Sequence, residues 1–154
     1  MHRHAERFQT TLDLLGEPGR VRETDPTAHT AADAAAALGV PVAAIVKSLV
    51  FLAGDEPVLV LASGPNRVDP ARAGKAFGAP LRKADAATVK AATGYSIGGV
   101  PPFGHPTPLP TLIDEDLLAQ PELWAAAGTA NAVFPIAPDR LVAVTGGRVL
   151  RVAE

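Results

Sequence analysis

The run IVKSLVFLAGDEPVLVLA, residues 45–62, decides the architecture. Ile45 to Leu52 is β-branched and apolar, Pro57 to Ala62 repeats that character, and Gly54-Asp55-Glu56 lies between them. Two such runs around a short glycine turn predict an antiparallel hairpin. A hairpin this apolar belongs at the centre of a core. Lys47 alone interrupts it, and strand alternation puts Lys47 on the face of Ile45, Leu49 and Phe51. Lysine is rarely buried without a partner. One reading is an edge strand with Lys47 as a protective charge or a snorkelling stem. The other is a lysine that projects into a pocket to meet an anion or a carbonyl oxygen. A Schiff-base lysine is chemically open to it, but nothing else in the chain suggests aldol or pyridoxal chemistry.

Working outward, Phe8, Leu12 and Leu15 recur at helical spacing, and Gly16-Glu17-Pro18-Gly19 stops that helix. Val21 to Thr24 is a short strand candidate. Thr30 with Asp33 forms an imperfect capping box for a helix over Ala31 to Leu38, closed by Gly39. Asp69-Pro70 opens a helix to Phe77 that Gly78 closes, and Asp85 caps another through Ala92, closed by Gly94. Leu81–Lys83, Leu109–Ile113, Ala132–Ile136 and Arg148–Val152 read as strands. Pro121–Ala127 reads as a short helix ending at Gly128, and Asp139–Thr145 fits strand or helix equally. Strands dominate the core, with helices inserted between them, in a single α/β unit over residues 1–154.

Between the last of those capped helices and the following strand lies Gly94-Tyr95-Ser96-Ile97-Gly98-Gly99-Val100-Pro101-Pro102-Phe103-Gly104-His105. Gly98-Gly99 permits backbone angles other residues avoid and lets a ligand approach the main chain. Pro101-Pro102 fixes the path and holds Val100 extended. A flexible linker is polar and serine-rich, whereas this segment is apolar and stiff. It predicts a shaped loop that presents backbone N–H groups.

Composition bounds the function. The chain has 154 residues, 47% hydrophobic and 19% charged, which suits one globular core. A net charge of −2 and a pI near 6.1 argue against a broad grip on a nucleic-acid duplex, though not against a pocket for a strand end. The absence of cysteine removes disulfides, thiolate metal sites and a cysteine nucleophile. The amphipathic N-terminus lacks the apolar stretch of a secretion signal, and no run approaches membrane-spanning length. A soluble cytoplasmic protein is the expectation.

Gly94-Tyr95-Ser96-Ile97-Gly98 matches the G-x-S-x-G pattern of a hydrolase elbow, but that motif needs a strand before it and a helix after it. Here a helix precedes it and the prolines block one afterward. His105 also comes before Asp114, and no histidine follows. The match is read as a decoy. His2, His4, His29 and His105 share no metal-ligand spacing. His105 reads equally as a ligand contact or a surface histidine. Asp114 ends an apolar strand, either at a pocket mouth or as a cap for Glu115–Leu118. Gly128-Thr129 with Asn131 forms a second small-residue turn.

Together, Leu38-Gly39-Val40, Ile45-Val46-Lys47-Ser48-Leu49, Thr93-Gly94-Tyr95, Gly98–Gly104 and Ile113-Asp114-Glu115 resemble, in order and spacing, the YbaK/ProX family. That domain also occurs inserted in bacterial prolyl-tRNA synthetases, and the resemblance runs from about Val21 to the C-terminus. It implies a mixed, barrel-like β-sheet flanked by helices. It implies removal of wrongly attached small amino acids from tRNA, chiefly tRNA for proline, with no cofactor or metal. Lys47 matches the family's pocket lysine, which contacts the tRNA 3′ end. Gly98 and Pro102 match the ends of its G-x-x-x-P loop, and Asp114 an acidic position after a strand. Ser48 stands where alanine-specific members carry Asn and cysteine-specific ones Thr, so the preferred amino acid is left open. The candidate site is then Lys47, Gly98 and Gly99 at the reacting ester. Around the substrate stand Ser48, Val100, Pro101, Pro102, Phe103, His105, Asp114 and Gly128. The implied partner is the aminoacylated 3′ end of tRNA, with prolyl-tRNA synthetase as a second candidate. The rival class is a non-catalytic binding module that keeps the same pocket.

Overall fold

The computed structural model describes every residue except His29, whose place among the scattered histidines therefore lies outside the described residues. Five helices and eight strands follow in the order α1 (Arg3–Leu14), β1 (Arg22–Glu23), α2 (Ala31–Leu38), β2 (Ile45–Ala53), β3 (Glu56–Ser63), α3 (Pro70–Gly74), β4 (Leu81–Lys83), α4 (Ala86–Thr93), β5 (Thr111–Asp114), β6 (Leu123–Ala126), β7 (Ala132–Ile136), α5 (Pro138–Thr145) and β8 (Arg148–Leu150). The strands form one mixed sheet, ordered β1-β7-β6-β2-β3-β5-β8, with β4 attached to β2. The expected mixed sheet with flanking helices is what the chain forms.

The hairpin of β2 and β3 is the sheet's centre and runs in continuous register from Val46↔Ser63 to Ala53↔Glu56. Its loop is the pair Gly54-Asp55, with φ +63° at Gly54, the left-handed value a tight hairpin turn asks of its first residue. β3 is buried from Val58 onward, because it lies between β2 and β5. β2 also meets two further strands: β6, parallel, at Ile45 and Val46, and β4, antiparallel, at Phe51 to Ala53. Between these contacts the edge of residues 47–50 has no neighbouring strand. The sheet splits there.

Side chains from the two faces build two apolar clusters. Val46, Val50, Val100, Phe103 and Phe134 belong to the larger one; Phe51, Val58, Val60 and Leu81 belong to the smaller. α1 closes the larger cluster, with Phe8 packed on Phe103 and Phe134 at ring distances of 5.5 and 4.9 Å.

The capping signals read from sequence are present. Thr30 and Asp33 bond reciprocally as a capping box, Asp69 and Asp85 cap α3 and α4, and Gly39, Gly78 and Gly94 end their helices in the left-handed region. The ambiguous segment near the C-terminus is helical, as α5. The helix expected over Pro121–Ala127 does not form. Leu123–Ala126 is strand β6, pairing with both β2 and β7. Its alternation puts Leu123 and Ala125 in the core, and the sheet contacts on both sides outweigh the helix preference of its alanines. Among the described residues no helix is long and apolar enough to cross a membrane.

Candidate functional site

The split in the sheet opens into a cavity of about 720 Å³. Its floor is β2 from Ile45 to Phe51; Trp124 to Ala126 of β6 stand at one end, and Lys83, the last residue of β4, with Ala84 at the other. Ile97, Gly98 and Val100 of the glycine–proline loop form one wall, and Arg67 and Val68 stand near Lys47. The structure therefore brings Lys47, Ser48, Gly98 and Val100 together around one space. Lys47 is on an open stretch of a central strand, which is neither an ordinary edge nor a closed core position.

Lys47 is partly buried, and its ammonium donates to the carbonyl oxygen of Asn66. Burial pushes its pKa below the ordinary lysine value, while the nearby Asp114 charge pulls it back up. An ammonium has three donors, so two have no acceptor among the described residues and are open to a ligand. Arg67 and Lys83 add positive charge to the lining, and Arg67 is paired with Glu154 at 3.2 Å.

Asp114 is 1% exposed, and it lies behind the cavity instead of lining it. Its carboxylate accepts from the Ser63 N–H at 3.0 Å, the Asn66 side-chain amide at 2.8 Å and the Asp116 N–H at 3.0 Å. The last bond caps the short 3₁₀ turn Glu115–Ala119, so the expected cap is present. The bond to Asn66 also ties Asp114 to the residue that holds Lys47. Sequence reasoning missed Asn66. The only trace of it was the turn Ser63-Gly64-Pro65-Asn66, which starts at the last residue of β3.

The loop is braced from behind. Val100, Pro101, Pro102 and Phe103 are buried, with Phe103 set edge-on to Phe134 at 5.7 Å and held in the core away from the cavity. His105 Nε2 lies 2.8 Å from the Pro101 carbonyl oxygen, closing the loop on itself. Burial pushes the His105 pKa down, against the opposing pull of that hydrogen bond. Gly98 has φ +90°, which a side chain would strain. Gly99 crosses Gly128 so closely that a Cβ on Gly99 would lie 2.9 Å from the Gly128 oxygen, and Gly128 N–H donates to the Gly99 oxygen at 3.0 Å. Gly128 is thus the seat of the loop and does not line the cavity. The loop offers fewer donors than its sequence suggests, because Gly99 N–H is committed to the Ser96 oxygen at 3.0 Å. The N–H groups of Gly98 and Val100, both lining residues, have no acceptor among the described residues.

Two lining residues each carry a buried polar atom without a partner among the described residues: Ser48 Oγ and Trp124 Nε1. Such orphans are costly unless a ligand or water meets them. Trp124 escaped sequence reasoning because its segment was read as helix. Ser96, the decoy serine, is exposed on a turn that leads into the loop and not into a helix. Among the described residues, no three His, Asp or Glu side chains group as a metal would require.

Comparison with known proteins identifies the family. Residues 25–144 match the model of the aminoacyl-tRNA editing domain. The chain is 31% identical to the uncharacterized protein YwhH of Bacillus subtilis, over 79% of this chain and 78% of that one. It is 32% identical to a proline–tRNA ligase of Desulfovibrio desulfuricans, over 76% of this chain but 20% of the ligase, so it spans about a fifth of that enzyme. A solved structure described as a proposed trans-editing enzyme for prolyl tRNA synthetase is 45% identical, with a TM-score of 0.96, covering 100% of this chain and 99% of that one. With residues 25–144 matched, and a relative 31% identical over most of both chains, this chain belongs to the aminoacyl-tRNA editing domain family.

Proposed function

We propose that the protein is a trans-editing deacylase, which hydrolyses the ester joining a small, wrongly attached amino acid to the 3′ end of tRNA for proline. The observation that carries this reading is that Lys47, Gly98 and Val100 line one cavity, and that the N–H groups of Gly98 and Val100 have no acceptor among the described residues. An aminoacyl ester is intrinsically labile, so a protein accelerates its hydrolysis by positioning it and stabilising developing charge. Water adds to the acyl carbon, the bond to the ribose oxygen breaks, that oxygen takes up a proton, and the amino acid leaves as its carboxylate. Lys47, with two free ammonium donors, holds the ribose-phosphate end by charge-assisted hydrogen bonds. The N–H groups of Gly98 and Val100 meet the carbonyl oxygen as it becomes an oxyanion. The nucleophile is water, aligned by the neighbouring ribose hydroxyl of the substrate itself.

The rigid loop acts as a second sieve, because a braced wall admits an undersized amino acid and excludes the correct one. Ser48, whose hydroxyl is unpartnered in the lining, contributes to that choice. The family membership and the likeness to a proposed trans-editing enzyme support the same reading. Prolyl-tRNA synthetase is the partner this implies. The test is a deacylation panel, with tRNA for proline charged in turn with Ala, Cys, Ser, Thr or Pro. Hydrolysis of one or more of the small non-cognate esters, with Pro spared, is the expected result. Hydrolysis of none would leave a binding module in place of an enzyme.

A further inference from the structure

The open edge of β2 carries main-chain groups with no partner among the described residues, and their order can be read from the hairpin. Gly54-Asp55 is a two-residue loop, so Ala53 and Glu56 form its hydrogen-bonded closing pair. Pairing alternates along an antiparallel ladder, so Phe51, Leu49 and Lys47 also bond to β3. Val46, Ser48, Val50 and Leu52 then direct their N–H and C=O groups to the opposite edge. Leu52 meets β4 there and Val46 meets β6. Ser48 and Val50 fall in the split, on the cavity floor. The β4 ladder ends at Phe51 and the β6 ladder at Val46. Among the described residues the Ser48 carbonyl and the Val50 N–H are therefore left without a main-chain partner and side by side, an acceptor next to a donor on one line.

An unpaired strand edge commonly recruits another strand. This opening is too short for that, since only residues 47–50 lie between the paired ends. A compact planar group with a donor beside an acceptor fits instead. We infer that the Ser48 carbonyl and the Val50 N–H read the Watson–Crick edge of the terminal adenine, accepting from its N6 amino group and donating to N1. This rests on the aminoacyl-tRNA reading of the site and adds base recognition to it. Single-stranded RNA ends are read in this way, on exposed base edges by hydrogen bonds and on base faces by apolar contact. Leu49, Val89, Val100 and Val133 supply apolar lining, and the cavity is far larger than a small amino acid needs, within the range that encloses a nucleoside-sized ligand.

Inosine inverts the two groups, offering an acceptor at position 6 and a donor at N1, and so it is the discriminating probe. In ¹⁵N-resolved NMR of the full chain, adenosine should shift the Val50 amide and protect it from hydrogen exchange, whereas inosine at the same concentration should not. With mischarged tRNA for proline, replacing the terminal adenosine by inosine should lower kcat/KM by about tenfold or more, as losing a paired donor and acceptor does. Equal deacylation of both tRNAs, or equal shifts of Val50 by both nucleosides, would overturn the adenine inference and leave the deacylase reading standing. A Val50 shift specific to adenosine, in a protein that hydrolyses no aminoacyl-tRNA, would uphold base recognition and remove the deacylase reading.

Discussion

Asn66 joins Asp114 to the site: its side-chain amide donates to the buried Asp114 carboxylate at 2.8 Å, while its main-chain carbonyl receives the Lys47 ammonium. Asn66 is thus a positioning residue for Lys47, and Asp114 acts through it. Asn66→Ala keeps the carbonyl but frees the turn that carries it. The expected result is a folded protein whose deacylation falls by about tenfold, mainly through a higher KM for tRNA. An unchanged KM would separate Asn66 from the placement of Lys47.

Asp114 itself is a stability residue. Asp114→Ala leaves the buried Ser63 N–H without its acceptor, at about 1–3 kcal/mol, and removes the cap on the Asp116 N–H, at about 0.5–2 kcal/mol, while the Asn66 amide keeps its bond to Asp116 at 2.7 Å. Denaturant unfolding should show a loss of about 2–5 kcal/mol. A change near zero would mean that Asp114 is not the anchor of this turn.

On the proposed mechanism, Lys47 makes the activity pH-dependent. Burial lowers its pKa from the ordinary 10.5, so the ammonium proposed to hold phosphate is present below that lowered pKa and lost as pH rises through it. For stability the sign is opposite. The fold penalises the charged form, and that penalty fades as pH climbs through the lowered pKa towards the unfolded value. The profile of kcat/KM, corrected for spontaneous ester hydrolysis, should fall on its alkaline side before an ordinary lysine would titrate. In Lys47→Arg that alkaline limb should vanish at a reduced rate, since guanidinium stays charged. An alkaline limb that persists in Lys47→Arg belongs to another group.

Gly99→Ala tests the seat of the loop. The new methyl would press on the Gly128 oxygen and the Thr129 Cα, each 2.9 Å away. Backbone must move, costing about 1–3 kcal/mol and displacing the wall. Thermal unfolding should drop by several degrees, and discrimination between Ala and Pro esters should weaken. Retained selectivity would show that the wall does not sort substrates.

Ser96→Ala should keep nearly full activity, because Ser96 is exposed on a turn and its motif lacks the strand and helix of a hydrolase elbow. Loss of activity, with an acyl-enzyme trapped on the wild-type protein, would restore a serine nucleophile.

Much of this architecture is legible in the sequence because local chemistry dictates it. Gly54 closes the hairpin, Asp69 and Asp85 cap helices, and the Gly98–Pro102 segment can only be a stiff loop. The β6 segment was misread because Trp124 and its alanines show a helix former's composition, and only their neighbours β2 and β7 make them a strand. Phe103 looked like a site residue and serves the core, since its partners Phe8 and Phe134 are distant in sequence. Asn66 and the open β2 edge were invisible for the same reason. Both depend on which strands meet, and no local pattern carries that.

The central claim, that Lys47 and the braced loop together hydrolyse a mischarged ester, meets its most direct test in one comparison. Tritiated alanyl-tRNA for proline would be incubated with the wild-type protein and with Lys47→Ala, and the release of alanine followed. The account predicts release by the wild type and a fall of at least about a hundredfold in Lys47→Ala, with unfolding curves that match. Full-rate release by Lys47→Ala would contradict it.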